Sequence, residues 1–99
     1  MILAQIKPTL MAEYVGTDFE VLDNPGQVFC LRLTEVVAHV KTEHNETFSL
    51  LFRGPLDQFI RQGIHRLKQA KLGELEIFLV PTAQDKLGFQ YEAVFNHLL

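Results

Sequence analysis

Apolar and polar residues alternate with a period of two along most of this chain, from Phe19 to the closing Tyr91-Glu92-Ala93-Val94-Phe95-Asn96. That rhythm predicts a succession of short strands. One stretch departs from it. At 8–15, Pro8 suits a first helical turn, Leu10, Met11 and Tyr14 recur at helical spacing, and Gly16 closes the end, so a helix is predicted there. A strand over 19–22 follows and stops at Asp23-Asn24-Pro25-Gly26, a strong turn signal.

The longest strand reading covers 28–40, and its phase slips. Phe29, Leu31 and Leu33 mark one face, but after Thr34-Glu35 the apolar positions become Val36, Ala38 and Val40. A β-bulge near Thr34-Glu35 adds one residue and keeps both sets on the buried side. A polar loop over 41–46 leads into a strand over 47–53 with Phe48, Leu50 and Phe52 inward, so the two strands form a hairpin. Gly54-Pro55 breaks the pattern, and 56–60 is predicted as one helical turn packing Phe59 on the sheet. A strand over 64–68 and a turn over 69–73 come next. The strand over 74–80 carries Leu75, Ile77 and Leu79 on one face and Phe78 and Val80 on the other, which predicts a central position. Pro81 is read as its end and 83–88 as a loop. Phe89, Tyr91, Ala93 and Phe95 form one face of the last strand.

These elements predict an α+β, mostly β fold: a small curved antiparallel sheet or partly open β-barrel with one N-terminal helix plugging an end. Residues 1–99 are read as a single domain, long enough for one modest core. Eight Phe and no Trp suit a core of rings that need no hydrogen-bond partner. That filling also argues against an interior ligand cavity.

Charge and cysteine usage narrow the function classes. The formal charge is −3 with scattered basic residues, whereas a phosphate backbone calls for a basic stripe, so no nucleic-acid partner is predicted. No apolar run approaches the length of a membrane span, and the first residues lack a basic leader. The expectation is a soluble protein without a signal peptide, cytoplasmic or part of an assembled particle. Cys30 stands alone, which excludes an intramolecular disulfide and any metal site needing two thiolates.

Candidate chemistry is sparse. Cys30 is the only thiol nucleophile and needs a histidine in reach. His39 shares its strand, but nine residues of strand separate the two by roughly 25–30 Å, and nothing in the sequence brings His65 or His97 to it. Glu43, His44 and Glu46 sit in the hairpin loop near His39, without the tight paired spacing of a zinc site. His65 is read as an amphipathic edge residue and His97 as fraying with the C-terminal end. Glu74 and Glu76 share a face about 7 Å apart and read as the solvent side of a strand mouth. Arg53 faces away from the phenylalanines; it either holds a carboxylate such as Asp57 or pins the Gly54-Pro55 turn. No catalytic, cofactor or metal residues are assigned, and Arg53 and Asp57 are the candidate interaction or turn-fixing pair.

Phe48-Ser49-Leu50-Leu51-Phe52-Arg53-Gly54-Pro55 and Tyr91-Glu92-Ala93-Val94-Phe95-Asn96 are the most specific motifs. With Leu10-Met11-Ala12-Glu13-Tyr14-Val15-Gly16, Phe19-Glu20-Val21, Leu72-Gly73 and Ile77-Phe78-Leu79-Val80-Pro81, they resemble a bacterial domain family of unknown function of about this length. His65 departs from that pattern, which carries an aromatic such as Tyr. The family is similar to domains encoded beside phage-tail-collar-like proteins of the microcystin-dependent type. The resemblance implies an accessory or structural role in a tail-like assembly, with a tail-collar-like protein or a second copy as partner, and supplies no catalytic residues or cofactor. The reading is therefore a non-enzymatic protein–protein interaction module. The alternatives are a small-ligand-binding barrel and a small hydrolase-type enzyme using Cys30 with a histidine.

Overall fold

The computed structural model describes residues 1–99, and its architecture is the mostly β one that the period-two pattern predicts. Helix α1 spans Pro8–Ala12. Six strands follow: β1 (Asp18–Val21), β2 (Cys30–Lys41), β3 (Asn45–Gly54), β4 (Gly63–Gln69), β5 (Gly73–Asp85) and β6 (Gly88–Leu98). A 3-10 turn over Leu3–Gln5 precedes α1. All pairings are antiparallel in the order β1-β2-β3-β6-β5-β4, and β4 returns to β1. The sheet is a ring but not a regular barrel, because strands of such unequal length cannot pair along the whole circumference.

Alternation explains the core. Phe48, Leu50 and Phe52 of β3 point inward with Leu31 and Leu33 of β2, Leu75, Ile77 and Leu79 of β5, and Tyr91, Ala93 and Phe95 of β6. Phe19 meets Phe52 edge-on with ring centroids 5.3 Å apart, and Phe48 stacks on Phe95 at 5.1 Å. Met11 of α1 and Ile6 before it, both fully buried, fill the end of the ring. The helix is shorter than the predicted 8–15. Residues 13–16 are turns, because the chain leaves α1 to bond β2: Gly16 N–H donates to the Leu33 carbonyl at 2.7 Å, and Leu33 N–H to that of Thr17 at 3.1 Å.

The predicted bulge is present. Leu33 pairs with Phe52 and Glu35 with Leu51, leaving Thr34 as the extra residue, and its Oγ1 donates to the Leu51 carbonyl. A second bulge at His39 was not visible in the sequence. It turns Val40 outward, opposite Thr47, so Val40 is exposed rather than buried; Ala38 is exposed too.

Three further expectations are corrected. Pro81 does not end β5, which runs on to Asp85. Pro81 pairs with Tyr91 and Ala83 with Gln90, so Thr82 is extra, and a bulge beside the proline absorbs its missing N–H. Residues 56–60 form no helix. They cross irregularly from β3 to β4, with Ile60 buried and Phe59 half-exposed against Phe89. The Ile60 N–H donates to the Tyr91 hydroxyl at 3.2 Å, and burial pushes that phenol up from its ordinary pKa while the Ile60 bond opposes the rise. His97 does not fray: its Nε2 donates to the Ile6 carbonyl at 2.7 Å, and its ring lies 5.6 Å from that of Phe48.

Candidate functional site

The ring opens between β5 and β6. Their ladder runs only from Val80–Glu92 to Asp85–Gly88. Beyond it, 74–79 pairs with β4 alone and 93–98 with β3 alone. The two strands part into a groove of about 880 Å³, each presenting one unpaired edge. The chain's own first residues lie in this seam. The Met1 nitrogen donates to the Glu74 carbonyl at 2.7 Å, and Ile6, held by His97, anchors the other end.

Apolar side chains rim the groove. Ile64 and Phe78 are paired across β4 and β5 and point outward, with relative exposures of 67% and 49%. Val94 on β6 is 59% exposed, and Ile2 and Leu3 stand exposed beside them. Exposed apolar residues scattered singly are ordinary; here five line one groove. The charges there have both signs. Arg66 donates through Nη2 to Glu74 at 3.3 Å, and Glu76, paired with Arg66 across the ladder, has no ion-pair partner.

Arg53 does not hold Asp57. It reaches past Gln90, its neighbour on β6, and donates through Nη2 to Asp85 Oδ1 at 2.6 Å. The same oxygen accepts the N–H groups of Leu87 and Gly88. Arg53 thus fixes the β5–β6 turn, and Asp57 lies exposed on the 55–62 crossing. The Arg53 hydrogen bond, with the Leu87 N–H next, lowers the Asp85 carboxyl below its ordinary pKa. A lowered carboxyl contributes stability above its unfolded pKa that is lost as pH falls through the folded one. Asp85→Asn is expected to flatten the acid side of the melting-temperature profile below about pH 4, relative to the unchanged chain. A thermal melt at each pH reads this, and an identical acid slope would contradict it.

The other candidates remain apart. Cys30 is exposed on β2, opposite Glu20 of β1. Partial burial, then Asp18 and then Glu20, push its thiol up, the reverse of nucleophile activation. Iodoacetamide should therefore modify Cys30 more slowly than free cysteine near neutral pH, and Asp18→Asn should speed the reaction. Labelling followed by mass spectrometry measures both rates. His39, His65 and His97 hydrogen-bond to other partners, and Glu74 and Glu76 are exposed on β5, beside Lys68 and Arg66 of β4.

A Ser–His contact did escape the sequence reading: His39 Nε2 lies 2.7 Å from Ser49 Oγ. The bulge that makes His39 the extra residue turns it toward β3, and period-two counting gives no sign of that. Ser49 is fully buried in a strand paired on both sides, so the surrounding N–H groups are committed to ladders, not to an oxyanion. A smaller pocket holds His65, whose Nε2 donates to the Arg61 carbonyl at 2.7 Å and whose Nδ1 faces Asp23. Asp23 also accepts the Arg66 N–H, so this cluster covers the outer end of β4.

No three His, Cys, Asp or Glu side chains lie close enough to share a metal ion. No helix is long and apolar enough to cross a membrane. Among protein families, the one described as Domain of unknown function (DUF6916) matches residues 6–95. No curated protein and no solved structure matches the chain.

Proposed function

This chain belongs to the DUF6916 family of domains of unknown function, and from that premise we propose that it is a non-enzymatic protein–protein interaction module docking through the β5–β6 seam. The observation that carries this is the coincidence, in one groove, of exposed Ile64, Phe78 and Val94 with two unpaired strand edges. Such edges accept a partner by main-chain bonding, while neighbouring apolar side chains supply area and selectivity. Polar groups of the kinds that do chemistry are instead bonded into the fold: Arg53 on the β5–β6 turn, His97 on the N-terminal segment, His65 on β4.

The setting we propose is a tail-like assembly, supported by the motif resemblance alone. A ligand-binding barrel finds less support, since buried side chains occupy the centre of the ring, and the groove, floored by Leu75, Ile77 and Phe95 of that core, runs along the seam between two strands. The test is an affinity pull-down from the native host with the tagged chain and its Phe78→Glu variant. Phe78 is half-exposed, so that variant should keep its melting temperature within a few degrees. Recovery of tail-collar-like or other assembly proteins in fixed stoichiometry, lost in Phe78→Glu, is the expected result. Identical recoveries from both chains would overturn the reading.

A further inference from the structure

The seam carries exposed apolar side chains and charges of both signs on one face. A two-fold contact buries the same patch on both subunits, so the patch must carry both halves of each interaction. Ile2 and Leu3 project from the N-terminal segment, while Ile64, Phe78 and Val94 form a shelf beside them. Arg66 uses one guanidinium nitrogen on Glu74 at 3.3 Å and is 54% exposed, which leaves donors free. Glu76 on the same face has no ion pair. We propose that two copies of this chain meet across the β5–β6 seam about a two-fold axis. Ile2 and Leu3 of each rest on Ile64, Phe78 and Val94 of the other, with Arg66 of each facing Glu76 of the other.

This rests on the seam being the docking face and names the partner as a second copy. Each chain carries a charge of −3, so copies repel in general and approach only where opposite charges oppose each other. The crossed Arg66–Glu76 pairs supply that twice per dimer. The groove is lined by 14 residues, against the roughly 20–30 a side of a standard interface. The dimer is accordingly weak and concentration-dependent. It also covers the two strand edges that a lone copy leaves without a strand partner.

Sedimentation velocity of the full chain over a wide concentration range is the test. The expected result is a dimer fraction that rises with concentration in the unchanged chain and is absent in Phe78→Glu. Charge reversal gives the sharper reading. Arg66→Glu alone sets Glu against Glu, and Glu76→Arg alone sets Arg against Arg, so each should dimerise at least about tenfold more weakly. An equimolar mixture of the two restores both crossed pairs and should recover the lost affinity as a heterodimer. Reversal variants that dimerise as well as the unchanged chain, or a mixture no better than its components, would overturn the two-fold contact. A monomeric chain whose Phe78→Glu variant still loses assembly proteins in the pull-down would sink the second-copy partner and keep the docking face. A monomer with identical pull-downs would sink both.

Discussion

Gly88→Ala is expected to destabilise the chain by about 4 kcal/mol or more, enough to unfold a small domain of ordinary stability. Gly88 opens β6 at φ 155°, and a Cβ there would run into the carbonyl oxygen of Gly54. That oxygen belongs to the end of β3, where Gly54 faces Phe89 across the ladder, so it cannot swing aside as a side chain would. Two substitutions calibrate the effect. Gly54→Ala meets Leu31 Cδ2 at 2.7 Å and Tyr91 Cε2 at 3.2 Å, both side-chain atoms, and should cost less because Leu31 can change rotamer. Gly16→Ala meets nothing within 4 Å and should show only the backbone cost of a positive φ, about 1–2 kcal/mol. Denaturant melts rank the three. A Gly88→Ala chain as stable as Gly16→Ala would mean that β3 and β6 do not approach so closely.

Phe48→Ala is the second large effect, at about 3–5 kcal/mol. Phe48 is fully buried, stacks on Phe95, and lies 5.6 Å from the His97 ring. The stacked pair contributes about 1 kcal/mol beyond its buried area. The truncation also reaches further than its cavity. Without Phe48 the His97 imidazole loses a supporting face, and with it the Ile6 carbonyl loses its fixed donor. Hydrogen exchange should therefore accelerate around Ile6 by more than the global loss of stability accounts for. Phe48→Leu keeps most of the volume and should cost under about 1.5 kcal/mol. Phe59→Ala, at a residue 52% exposed, is the surface comparison. Equal losses for Phe48→Ala and Phe59→Ala would contradict the packing described.

Much of the fold was legible because local signals agreed with tertiary ones. The slip from Leu33 to Val36 announced the bulge at Thr34, since only an extra residue keeps both on one side. The bulge at His39 left no such trace: Val40 is apolar whether it faces core or water. Pro81 reads as a stop in any local view, and only pairing with Tyr91 followed by a bulge shows why β5 continues. The candidate site was less legible. Arg53 reads either as a holder of a carboxylate such as Asp57 or as a pin for the Gly54-Pro55 turn; its actual partner depends on β6 lying between β3 and β5, and strand order is a property of the whole chain. Outward Phe78 and Val80 predict a central strand, and β5 does lie between β4 and β6; that its pairing with β6 is only partial has no sign in the pattern. The strand leaves β6 beyond Val80, so Phe78 stands at the rim of a groove.

The order of strands around the ring also bears on how the chain reaches it. β1-β2-β3 and β4-β5-β6 are consecutive meanders, each pairing neighbours in sequence, and only two ladders join them. One is the long β3–β6 ladder from Asn45–Leu98 to Gly54–Phe89; the other is the brief β1–β4 contact at Glu20–Lys68 and Val21–Leu67. Sequence-local pairings close small loops and form early, whereas these joints wait on a large loss of chain entropy. Assembly is thus expected to proceed by halves, with the 55–62 crossing as the hinge on which they meet. β1, held by so few partners, is the clasp that fastens last and opens first.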